Sequence, residues 1–69
     1  MERLRLEIDG MTCDHCVRAV ATALRALPGV AVEEVAIGRA TVDYDPARTT
    51  PDQVLEAVAD EGYAAFRAG

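Results

Sequence analysis

Seven residues near the N-terminus, Gly10-Met11-Thr12-Cys13-Asp14-His15-Cys16, hold both cysteines and the single histidine of the chain. Two thiols three positions apart can close a local disulfide, exchange with other thiols, or grip a metal ion. A Cys13–Cys16 disulfide closes so short a loop that chain entropy gives it only about 2 kcal/mol, and it ties no distant elements together. As a structural staple it is weak.

The exchange chemistry is better founded, because Cys-x-x-Cys near a βαβ unit marks many redox proteins and His15 would help to hold a thiolate. Against it, the chain lacks the proline-rich second half and the aromatic residue leading the motif that thioredoxin-like sequences carry. The metal alternative turns on which ion two sulfurs suit. Structural zinc takes four closed ligands, and Zn(II) here would need help from solvent or a second molecule. Calcium and magnesium take oxygen cages. A low-coordinate pair of thiolates suits a soft ion, Cu(I) foremost, with Hg(II) and Cd(II) following. Few ligands on a surface loop leave the ion accessible, which suits a carrier.

Elements of definite period surround the loop. Leu4, Leu6 and Ile8 alternate with charged residues over 2–9, a half-buried strand. From 14 to 27, Val17, Val20, Ala21, Leu24 and Leu27 recur at helical spacing, and Pro28-Gly29 stops the run. Strands follow at 30–37 and 40–45. Between them Gly38-Arg39 predicts a two-residue type II′ turn that pairs Ile37 with Ala40 and Val35 with Val42. Thr50-Pro51-Asp52-Gln53 reads as a capping box for a helix over 51–61, ended by a left-handed Gly62. Tyr63 to Arg67 is the last strand. The order βαββαβ predicts an α+β, ferredoxin-like domain over 1–69, its four-stranded antiparallel sheet carrying two helices on one face. Cys13 then lies on the loop and Cys16 in the first helical turn, where unpaired N–H groups and the helix dipole lower a thiol pKa.

Composition narrows the function further. Sixty-nine residues without Trp build a small core, which favours a binding module over an enzyme. Twelve carboxylates face seven arginines and no lysine, for a net charge of −5. That balance excludes phosphate-backbone recognition, so nucleic acid is not an expected partner. No apolar run is long enough for a signal peptide or a membrane span, so direct membrane insertion is not expected. The expected setting is cytoplasmic, where thiols stay reduced.

The loop resembles the GMxCxxC loop of the heavy-metal-associated domains, a family that includes small bacterial copper chaperones and the soluble domains of copper-transporting P-type ATPases. Further along, Leu27-Pro28-Gly29-Val30, Gly38-Arg39-Ala40-Thr41-Val42, Tyr44-Asp45-Pro46 and Glu61-Gly62-Tyr63 follow the same pattern in order. The resemblance implies the βαββαβ fold and Cu(I) held by Cys13 and Cys16. It also implies transfer to a partner's cysteine pair through shared-thiolate intermediates. It places Met11 in the core beneath the loop, Thr12 in shaping the loop and Tyr63 beside the metal, with plain packing the alternative for Tyr63. His15 stands where many bacterial copper chaperones also carry His, and is expected to face solvent, the alternative being a direct ligand. The partners it implies are the metal-binding domains of a copper ATPase and a copper-responsive regulator, with a metal-free monomer and a metal-bridged dimer. Two departures stand out. The turn at Gly38-Arg39 is shorter than the family's hairpin, which would trim the sheet at the end away from the metal. The lack of lysine sets the chain apart from eukaryotic-type chaperones, which carry a lysine near the metal. Since the chain begins at Met1 and ends soon after its last strand, a free chaperone is expected. The alternatives are a domain cut from an ATPase or a mercury-handling protein, and a small thiol-disulfide oxidoreductase.

Overall fold

The computed structural model describes residues 1–68 of the chain. Its elements run β1 (Glu2–Asp9), α1 (Asp14–Arg25), β2 (Val30–Ala36), β3 (Arg39–Tyr44), α2 (Pro51–Asp60) and β4 (Ala64–Arg67). The strands form one antiparallel sheet in the order β2-β3-β1-β4. This is the expected βαββαβ arrangement, with β1 spanning the expected residues.

Burial follows the periods. Leu4, Leu6 and Ile8 of β1 are buried while the residues between them are exposed. With Ala40, Val42 and Tyr44 of β3 they form a single cluster with Val20 and Leu24 of α1 and Val54 and Val58 of α2. Both helices therefore cover the same face of the sheet. The opposite face is charged, with Arg3 against Asp43 at 3.4 Å and Arg39 against Glu34 at 3.7 Å. Exposed pairs of this kind contribute little. Their use is to keep the open face wet. The expected capping box is present: Thr50 Oγ1 accepts the Gln53 N–H at 3.2 Å and Gln53 Oε1 accepts the Thr50 N–H at 2.9 Å.

The β2–β3 hairpin differs from its expected register. Val35 pairs with Ala40 and Ala36 with Arg39, so the two turn residues are Ile37 and Gly38 rather than Gly38 and Arg39. Val32, not Val35, lies opposite Val42, because a bulge interrupts the ladder between Val32 and Glu34. The physical reason lies in the spacing of the valines. Val30 and Val32 obey the strand period, Val35 does not, and one extra residue lets all three turn toward the helices. Ile37 is then left outside the strand, 54% exposed. Gly38 supplies φ +85° at the second turn position while Ile37 keeps a negative φ, the sign pattern of a type II turn rather than II′.

The position of this turn also corrects an expectation. Arg39 pairs with Glu7, and the Ile8 N–H donates to the Gly38 carbonyl at 2.9 Å. The hairpin tip thus lies at the C-terminal end of β1, the end that carries the cysteine loop, and not at the end away from it. Tyr63 likewise precedes β4 instead of opening it.

Candidate metal site

The loop is fastened on both sides of its sulfurs. Met11 is 7% exposed and belongs to the core cluster, so it acts as an apolar peg under the loop, as expected of it. Gly10 takes φ +98°, which makes the turn, and the Tyr63 ring packs beside it, Cδ1 standing 3.4 Å from where a Cβ would be. Tyr63 comes from the α2–β4 connection, which brings the end of α2 beside the cysteine loop.

Cys13 occupies the N-cap of α1 in extended conformation, φ −158° and ψ 173°. Its carbonyl accepts the Cys16 N–H at 3.1 Å and the Val17 N–H at 3.4 Å, which starts the helix. Its side chain makes no capping hydrogen bond, so the sulfur is not consumed by the helix. Cys13 is exposed and Cys16 half-buried, both are free thiols, and their Sγ atoms stand 3.8 Å apart. A thiolate–metal bond is about 2.3 Å, so one ion can lie between them, and the exposed Cys13 has room to open toward the roughly 4.6 Å of a linear arrangement.

The Cys16 thiol is lowered from the ordinary 9.0 to about 6. The Tyr63 hydroxyl, donating to the sulfur, is the largest cause, followed by the Thr12 backbone N–H; partial burial opposes them, and the Cys13 backbone and side chain add smaller contributions. Tyr63 is raised in turn, chiefly because its proton is held by the Cys16 sulfur. The expected direction for Cys16 is therefore present with a different leading cause. A side chain 47 positions away outweighs the helix N-terminus, and only the family resemblance had placed Tyr63 at the loop.

His15 is exposed, and with Cys13, Asp14 and Arg18 it lines an open groove of about 340 Å³. Among the described residues no three His, Cys, Asp or Glu side chains gather into a metal-holding group. The donor set assembled here is two sulfurs. That set matches the demands of a soft, low-coordinate ion and falls short of a closed four-ligand zinc site.

A sequence model described as the heavy-metal-associated domain matches residues 5–64. The copper chaperone CopZ of Staphylococcus saprophyticus is 42% identical over 60 residues, covering 84% of this chain and 88% of that protein. The rice copper-transporting ATPase HMA4 is 41% identical over 63 residues, which are 88% of this chain but 6% of that enzyme. Among solved structures, the copper-binding domain of the P-type ATPase HMA7 superposes with a TM-score of 0.95 at 31% identity, covering 100% of this chain and 96% of that one. Loop, fold and relatives agree: the chain belongs to the heavy-metal-associated domain family.

Proposed function

We infer that this protein carries Cu(I) on Cys13 and Cys16 and hands it to a partner's cysteine pair by thiolate exchange. The observation that carries this is the pair of free sulfurs 3.8 Å apart at an exposed helix start, with Cys16 held toward the thiolate by Tyr63. Two thiolates satisfy a soft monovalent ion and leave it open to a third sulfur. An incoming partner thiol therefore binds before an original ligand leaves, and no bare ion forms. Cys13, exposed and uncapped, is the ligand placed to leave first.

The similarity to CopZ chaperones along nearly their whole length supports a mobile carrier. The similarity to copper-ATPase domains supports such a domain as the receiver, and a copper-responsive regulator fits the same chemistry. The role is transport without catalysis, in the cytoplasm, by a protein that is monomeric without metal and bridges to a second copy when two loops share ions. Hg(II), Cd(II) and Zn(II) are secondary cargoes, Zn(II) the weakest because it lacks two ligands.

The test is competition against a calibrated Cu(I) chelator under reducing conditions, followed by transfer to an isolated soluble domain of a copper ATPase. Retention against the chelator and transfer to the domain are expected. Loss of Cu(I) to a modest chelator, with turnover of disulfide substrates, would instead assign the pair to thiol exchange.

A further inference from the structure

We propose that Ile37, at the tip of the β2–β3 hairpin, is a docking contact for the copper-receiving protein, an exposed apolar side chain at the same end of the sheet as the cysteine loop and rimmed by carboxylates. The proposal rests on the Cu(I)-transfer function and names the surface that selects the receiver. Ile37 is one of three large hydrophobic residues left exposed among the described residues, and nothing in the core explains it. Its neighbours place it at the loop. Val35 and Glu34 share a groove with Val17 and Arg18, so the C-terminal end of β2 runs alongside the first turns of α1. Ile37 lies two residues beyond Val35, past the end of that groove and at the sheet end that carries the cysteine loop. From the other side, the Ile8 N–H bonds the Gly38 carbonyl, and Ile8 stands two residues before Gly10.

Transfer forces contact with this region. A receiver's sulfur must reach an ion held at Cys13, so the interface is centred there. Even a transient interface buries several hundred Å² per partner, up to roughly 600 Å², a disc of about 14 Å radius. The hairpin tip is at most two strand spacings from β1, about 10 Å across the sheet, and sits at the end of β1 that leads into the cysteine loop. An isoleucine covered by a partner adds apolar burial to one side of the contact.

The rim states the partner's charge. Asp9, Asp14, Asp60 and Glu61 are exposed around the loop, against two cations, Arg18 beside His15 and Arg39 at the hairpin, where Glu34 lies 3.7 Å from it. α2 carries no basic residue in its last turn. The receiver that fits is a protein domain presenting a cysteine pair beside an apolar patch, ringed by Lys or Arg. Attraction between such rims speeds encounter, and salt screens it.

The experiment compares wild type, Ile37→Ser and Ile37→Leu in Cu(I) transfer to an isolated copper-ATPase domain bearing a basic rim, and to a small chelator. Ile37→Ser is expected to slow transfer to the domain about tenfold at limiting receiver. Transfer to the small chelator, Cu(I) retention and far-ultraviolet dichroism should remain those of wild type, and Ile37→Leu should restore the rate. Raising the salt concentration should slow protein transfer and leave chelator transfer alone. Wild-type transfer to the domain by Ile37→Ser overturns the docking surface while leaving the carrier function standing. Equal slowing toward the chelator overturns it too, since the residue would then act on the site itself. A wild-type protein unable to hold Cu(I) overturns the function and this surface with it.

Discussion

The two helices begin in opposite ways. α2 starts on Thr50, whose hydroxyl accepts the Gln53 N–H while the Gln53 side chain accepts the Thr50 N–H and the buried Thr49 hydroxyl donates to Gln53 Oε1 at 3.1 Å. The Thr49 and Thr50 hydroxyls and the Gln53 amide oxygen are all used by the start itself. α1 begins on Cys13 with the same extended backbone and no side-chain cap. Helix starts expose backbone donors that prefer a negative partner. At α2 the protein supplies neutral oxygens and closes the site. At α1 it leaves the cap position to a sulfur that remains free. One helix start is spent on stability and the other is held open for function.

The largest expected effect is on the open start. Cys13→Ser or Cys16→Ser should each weaken Cu(I) binding by about a hundredfold or more, because a hydroxyl is hard and stays protonated. His15→Ala should bind Cu(I) as wild type does, since His15 is exposed and joins no ligand group with the sulfurs among the described residues. Chelator competition measures all three. Full affinity in the double serine variant would remove the sulfurs from the site, and a large loss in His15→Ala would add a ligand to it.

The stability of the same variants sharpens the contrast. Thr50→Ala breaks the capping box and should cost about 1 kcal/mol, lowering Tm by about 4–8 °C in a domain of this size. Its Cu(I) affinity should not change. Cys13→Ser should do the reverse, gaining about 0.5–1 kcal/mol in the metal-free protein, because serine caps a helix where cysteine does not. The extended backbone at residue 13 already suits a capping side chain. Thermal unfolding of the two metal-free variants checks the pair. A destabilised Cys13→Ser would mean that the sulfur supports the fold in a way the helix start does not reveal.

Most of this contrast is legible in the sequence, because it is local. Thr50-Pro51-Asp52-Gln53 states its cap within four residues, and Cys13-x-x-Cys16 states its sulfur pair in as many. The alternation of β1 places its strand without ambiguity. What escapes local inspection depends on contacts between distant segments. Val35 and Ile37 share a strand period as well as Val30 and Val32 do, so the pattern alone permits either register. The bulge at Glu33 chooses between them by turning Val30, Val32 and Val35 to the helices together. The three-residue step from Val32 to Val35 is the signal that could have revealed it. The leading role of the Tyr63 hydroxyl at Cys16 has no local signal, since a loop after α2 must fold back onto the start of α1.

That long-range contact gives the smallest effect and the most direct test of how the open start is tuned. In the folded, metal-free protein Cys16 should lose its proton near pH 6, against 9.0 for the ordinary thiol. Between these values the unfolded chain still holds a proton that the folded chain has released. Stability should therefore rise with pH from about 6 to about 9, level off above, and lose this contribution as pH falls through about 6. The site is open to solvent, so the change in Tm should be slight, and the thiol itself is the better reporter. In a Cys13→Ser background, the rate of Cys16 alkylation against pH gives the titration directly, because the thiolate is the nucleophile. Removing the Cys13 thiol deletes only the last-ranked of the causes that lower Cys16. Tyr63→Phe deletes the first, and should move the midpoint upward while Met11 and Gly10 still hold the loop. A midpoint that stays in place in Tyr63→Phe would return the lowered thiol to the helix N-terminus alone, and the two helix starts would then differ only in their caps.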